Sequence, residues 1–140
     1  MNLSLHKSLQ IMYKPALLSG TIMAMLAVIF GAFGAHYLKT IFTPDLLTSF
    51  ETGVRYQFYH AIALLILGLY ASQVEAKFIK TIFIFFLGGI ILFSGSIYLL
   101  CAFKSASIIG LSGLGILTPL GGVCFILAWA IWVVSIFKLK

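Results

Sequence analysis

The chain has 140 residues, about one domain's worth; 62% are hydrophobic, and only nine Lys or Arg and three Asp or Glu carry charge. With a mean hydropathy of +1.16 it has too few polar groups to cover a soluble domain and too much apolar surface to stay disordered. The composition therefore specifies a bilayer protein. Its net charge of +6 is dispersed along the chain, which suits lipid headgroups and excludes nucleic acid as the expected partner.

Residues 1–14 read as a cytoplasmic N-terminal segment, and 15–140 as a single four-helix transmembrane domain. Four stretches lack Asp, Glu, Lys and Arg: Pro15–Leu38, Tyr56–Val74, Thr81–Phe103 and Ser105–Phe137. A crossing takes about 20 apolar residues, so each of the first three fits one helix. The fourth is too long for one and too short for two. Proline disfavours helix in the residue before it, so Thr118-Pro119 is expected to divide that stretch. Spans are thus predicted at about 16–38, 56–74, 81–103 and 119–137, with 105–117 as a short apolar excursion before the last.

In the first span Gly20, Ala24, Ala27, Gly31 and Gly34 recur at steps of four and three, which makes one stripe on a helix. Helices in lipid associate through close packing at small residues, and this stripe serves a homo-oligomer or a membrane protein partner as readily as internal packing. Ala32-Phe33-Gly34-Ala35 resembles a signal cleavage site. The uncharged run before it exceeds a signal core of about 7–15 residues, so the span is expected to be retained. Further small-residue contacts are expected at Ala61, Gly68 and Ser72, at Gly88 with Gly95, and at Gly121 with Ala128.

Between the first two spans, Thr43-Pro44-Asp45 reads as a helix start with a hydroxyl cap, an N-terminal proline and a carboxylate at the positive end of the dipole. Leu47, Phe50, Val54 and Phe58 then form an apolar stripe opposite Thr48, Glu51, Thr52 and Arg55. This pattern predicts an amphipathic interfacial helix that bends or continues around Gly53. Glu51 and Arg55, four apart in the favoured order, are expected to pair.

With four spans, Lys7, Lys14, Lys77, Lys80, Lys138 and Lys140 share one side, against Lys39, Arg55 and Lys104 on the other. The positive-inside rule puts both termini in the cytoplasm. Cys101 and Cys124 lack metal-type spacing and read as free thiols.

By this topology His36, Glu51, Arg55, Tyr56, Gln57 and His60 gather at the outer end of the bundle, joined by Ser94 and Ser96 from the third span and by Thr118. The leading expectation for this polar cluster is structural: a paired Glu51–Arg55 and two hydrogen-bonded neutral imidazoles. A second is a binding or transport site for a small ligand, a proton or a lipid headgroup, since His titrates near neutral pH. A third is metal or haem ligation by His36 and His60, a weak signal that leaves no cofactor expected. Ser94 or Ser96 with a histidine and Glu51 matches a hydrolase triad in residue type only, and an enzyme is not expected.

Gly31-Ala-Phe-Gly-Ala-His36, Phe50-Glu-Thr-Gly-Val-Arg-Tyr-Gln-Phe-Tyr-His60, Phe93-Ser-Gly-Ser-Ile-Tyr98 and Thr118-Pro-Leu-Gly-Gly122 together resemble the transmembrane protein 256-like family, a domain of unknown function numbered 423. The resemblance runs from about residue 18 to 135. It implies a small four-span integral membrane protein, from a family with bacterial and animal members, and it implies no activity; a bacterial inner membrane is the expected location.

Overall fold

The computed structural model describes residues 12–108 and 112–138, and within these all regular secondary structure is helical. The expected cytoplasmic segment lies almost wholly outside the described residues, as does the middle of the expected excursion. Helix α1 covers Lys14–Ala35, and a 3-10 turn at Leu38–Thr40 leads to α2, Pro44–Leu69. A second 3-10 turn, Tyr70–Gln73, precedes α3, Ala76–Gly89. This passes through a π-helical turn at Ile90–Gly95 directly into α4, Ser96–Ser105. After a 3-10 turn at Ser112–Ile116, α5 spans Leu117–Ile136.

Three helical stretches are long and apolar enough to cross a membrane: Lys14–Thr40, Ala76–Ser105 and Gly113–Ile136. Helix α2 has 26 residues and reaches about 39 Å at 1.5 Å per residue. It falls outside that set because residues 45–60 include Asp45, Glu51, Arg55, Gln57 and His60. Nor does the expected interfacial helix exist as a separate element. Helix α2 runs unbroken through Gly53, whose missing side chain serves a close approach: a Cβ there would lie 2.9 Å from Cε1 of Tyr98.

The helix ends follow local chemistry. Thr43 caps α2 by accepting the Leu46 N–H at 3.4 Å, with Pro44 at the first position and Asp45 in the first turn. At the end of α4 the Ser107 N–H reaches the Lys104 carbonyl and the Ile108 N–H reaches that of Phe103, with Ser107 at φ 56°. These bonds form a Schellman closure with serine in the place glycine usually takes. The last helix, expected to start at Pro119, starts two residues earlier. Helix α5 begins at Leu117, so Pro119 stands in its first turn, where its missing N–H would have had no intrahelical partner.

Helices α1 and α2 pack antiparallel along their lengths. Gly34 faces Phe50, Gly31 faces Val54, Gly20 meets the Ala61 carbonyl, and Gly68 meets Leu17. The Tyr13 N–H closes the far end by donating to the Gly68 carbonyl at 3.0 Å. The stripe of small residues on α1 is thus occupied by α2. On its other side α2 packs against the long α3–α4 helix, and α5 packs along that same helix. Among these later contacts Gly121 and Ala128 are close-packed as expected, whereas Gly88 and Gly95 are not. Space around Gly88 and Gly95 is open, whereas Gly89 abuts the Phe125 ring and Gly121 the Phe93 backbone. The π turn shifts the helical register here, which a regular seven-residue spacing does not anticipate. Phe86, Leu64, Leu67 and Ile82 are completely enclosed where the three layers meet.

A methyl group at Gly121 would overlap the Phe93 backbone, which has no rotamer with which to yield. Gly121→Ala should therefore lower stability by about 1–3 kcal/mol. Gly88→Ala, with nothing nearby, should hold or raise it by up to about 1 kcal/mol through helix propensity. Thermal unfolding of both variants in the same detergent compares them directly.

Candidate functional site

The antiparallel register of α1 and α2 sets the depth of every polar residue on α2. Phe50 lies opposite Gly34 near the end of α1, and each later residue sits 1.5 Å further along. Gln57 consequently reaches Met23, near the middle of α1, and His60 lies beyond it, just before the Gly20–Ala61 contact. His36 caps the opposite end of α1 and is exposed. The two histidines are therefore about 20 Å apart along the bundle axis. A cluster at one depth is not formed, and joint ligation of a metal or haem by His36 and His60 is geometrically excluded. Charge-free boundaries place the start of the second span at Tyr56. The short 36–43 connection instead brings α2 alongside α1 from Phe50 onward.

The residues that do come together form two interior sets. Gln57, only 3% exposed, donates through Nε2 to the Met23 carbonyl at 2.9 Å and accepts the Tyr98 hydroxyl at Oε1, also at 2.9 Å. One amide thus joins α1, α2 and α4. Ser94, on the π turn, donates from Oγ to the Gly53 carbonyl at 2.8 Å. Ser96 Oγ donates to the Phe93 carbonyl and shares a 2.7 Å hydrogen bond with Thr118 Oγ1 on α5. Neither serine hydroxyl meets a histidine, so the triad geometry is not assembled.

His60 occupies an aromatic box between α2, α3 and α5. Its ring stacks on Phe125, with centroids 3.5 Å apart and planes at 4°, and Phe86 closes a third side at 5.6 Å. Nδ1 lies 2.7 Å from the Tyr56 carbonyl, and the Trp129 indole N–H points to Nε2 at 3.4 Å. A carbonyl only accepts and an indole N–H only donates. His60 is therefore a neutral imidazole with its proton on Nδ1 and both nitrogens engaged. Tyr56 contributes its carbonyl to this site, while its ring stacks on Phe93 at 4.7 Å. Among the described residues no buried side-chain nitrogen or oxygen lacks a partner.

Glu51 and Arg55 behave differently. Both are exposed, and the expected ion pair between them is absent: the salt bridge among the described residues is Lys77–Glu75, at 2.7 Å. They instead flank a cleft of about 340 Å³ between the ends of α1 and α2, lined by Gly31, Gly34, Phe50 and Val54.

Sequence reasoning missed Tyr98, Phe125 and Trp129 as partners of the polar residues. The spacing of Phe125, Trp129 and Trp132 by four and three places one aromatic stripe on α5, and that was the available signal. Tyr98 closes the Phe93–Tyr98 motif without any local cue that its hydroxyl is buried.

Removing one end of a buried hydrogen bond strands the other at a cost of about 1–3 kcal/mol. Gln57→Leu should destabilise the protein by that order. Tyr98→Phe should add little in the Gln57→Leu background, a coupling that a double-mutant cycle in detergent would read out. With both His60 nitrogens engaged and His36 distant, His36→Ala and His60→Ala should leave bound-metal content and visible absorption of the purified protein unchanged.

The profile of the family described as "Protein of unknown function (DUF423)" matches residues 30–122, a range that includes all four motifs quoted above. The chain is 40% identical over 126 residues to the UPF0382 membrane protein YwdK of Bacillus subtilis, covering 89% of this chain and 98% of that protein. A UPF0382 membrane protein of Staphylococcus aureus is 38% identical over 119 residues, covering 85% and 92%. One from Haemophilus influenzae is 38% identical over 113 residues, covering 81% and 86%. No solved structure matches the chain. With the four motifs inside the matched region and identity sustained over nearly the whole length of these relatives, the chain belongs to the DUF423 family of membrane proteins.

Proposed function

We propose that this chain is a four-span, non-catalytic integral membrane protein of the bacterial inner membrane, with both termini cytoplasmic, whose interior polar residues fasten its helices together. The observation that carries the fourth span is the register of α1 and α2. Residues 50–68 of α2 lie antiparallel to 13–34 of α1, so a crossing by α1 entails a return crossing by α2. The polarity of α2 does not oppose this, because Gln57 and His60 present no open hydrogen-bonding group to lipid. Glu51 and Arg55 fall near the end of α1, at the depth of the interface.

The fastening role rests on the pattern of partners. Gln57, Ser94 and Ser96 each link different helices, and such bonds in membrane proteins contribute about 0.6–2 kcal/mol each. Bacterial relatives named as membrane proteins and the excess of lysine beside the termini and the α2–α3 connection support the inner-membrane orientation.

The topology has a direct test in a background lacking native thiols (Cys101→Ala, Cys124→Ala). Lys39→Cys, before α2, should react with an impermeant maleimide added to intact cells. Ser72→Cys, after α2, should react only once the cells are opened. Labelling of both positions from the same side would remove the fourth span.

A further inference from the structure

We propose that the cleft between the ends of α1 and α2 binds a phospholipid with a zwitterionic phosphoethanolamine headgroup, Arg55 taking the phosphate and Glu51 the ammonium. The cleft, about 340 Å³, exists because Gly31 and Gly34 leave the α1 backbone bare: a Cβ at Gly31 would find only Val54 Cγ1, at 3.5 Å. Glu51 and Arg55 stand on its rim with no hydrogen bond or ion pair to any described residue. Two opposite charges one helical turn apart, each exposed and unpaired, offer complementarity to a ligand that carries both signs itself.

The order of the charges selects the headgroup. Glu51 is nearer the start of α2, and Arg55 is about 6 Å deeper. In a phosphoethanolamine lipid the phosphate likewise lies deeper, next to the glycerol, and the ammonium nearer water. Phe58 and Ile62 continue the same face at steps of three and four, and both are exposed. They provide an apolar track toward the membrane centre for an acyl chain. A phosphoglycerol headgroup would offer Glu51 no cation. A phosphocholine headgroup would offer one without an N–H to donate, whereas a primary ammonium makes the charge-assisted hydrogen bond.

This inference rests on α2 crossing the bilayer beside α1, and its test is separable from the topology experiment because it is read in detergent. The purified full-length chain, titrated with dioleoyl phosphatidylethanolamine, phosphatidylcholine or phosphatidylglycerol, would be examined by native mass spectrometry. Half-occupancy by the ethanolamine lipid is expected at about tenfold lower concentration than by the other two, the effect of one charge-assisted hydrogen bond. Glu51→Gln should abolish the preference for ethanolamine over choline, and Arg55→Gln should weaken adducts of all three lipids. Equal occupancy by the three lipids in the unmodified protein, or a preference for phosphatidylglycerol, would overturn the proposal without any variant having to fold. An unchanged ethanolamine preference in Glu51→Gln would overturn it as well. Failure of the Lys39→Cys and Ser72→Cys labelling pattern would remove the fourth span, and with it the depth order of Glu51 and Arg55, and so would overturn the proposal separately from the lipid ranking.

Discussion

The amide of Gln57 is the contact on which the arrangement of helices depends. It sits near the middle of α1, buried from solvent, and its two ends reach backbone on one helix and a hydroxyl on another. Lipid gives apolar helices little reason to prefer one neighbour over another, so the polar atoms decide. An amide whose donor is satisfied only by the Met23 carbonyl and whose acceptor is satisfied only by Tyr98 fixes the register of α1 on α2 and of α2 on α4 together. The glycines permit that approach. Gly20 brings α1 to within contact of the Ala61 backbone, and Gly53 admits the Tyr98 ring.

The π turn at Ile90–Gly95 belongs to the same logic. A regular helix from Ala76 to Ser105 would carry Ser94 and Ser96 around to other faces. Its wider turn lets Ser94 reach the Gly53 carbonyl on α2 while Ser96 meets Thr118 on α5. Two serines separated by one glycine thereby fasten opposite neighbours. Such bulges often mark functional sites, but here each hydroxyl is bound to a structural partner, which accounts for the distortion.

Much of the helix content was legible because charge spacing and caps are local. Thr43-Pro44-Asp45 specifies a helix start whatever lies around it, and the stripe from Gly20 to Gly34 specifies a contact face. Depth was not local. Counting from Tyr56, the first residue after Arg55, placed Gln57 and His60 at a membrane boundary, whereas the partner helix sets their level at the middle. The glycines of the third span misled for a related reason: a seven-residue interval between Gly88 and Gly95 reads as one face only while the helix stays regular. Pro119 marked the last helix start to within two residues, because proline is tolerated anywhere in a first turn. The Gln57–Tyr98 bond joins residues 41 apart in the chain, and nothing in either neighbourhood announces it.

The division among polar residues is sharper in the structure than in the sequence. Gln57, His60, Ser94 and Ser96 are buried and each has its hydrogen bonds met by another part of the chain. Glu51 and Arg55 are exposed, spaced for an ion pair, and do not make one. A helix that needed only stability would gain a few tenths of a kcal/mol by closing that pair. Leaving the two charges apart, over a cleft kept open by Gly31 and Gly34, forgoes little and preserves a surface that can engage a charged molecule from the bilayer. In the proposed reading, fastening and recognition fall to opposite faces of α2, with Gln57 and His60 on one and Glu51 and Arg55 on the other. Among the described residues no side-chain hydrogen bond connects the two sets, so a ligand at the proposed rim site would leave the interior fastening undisturbed.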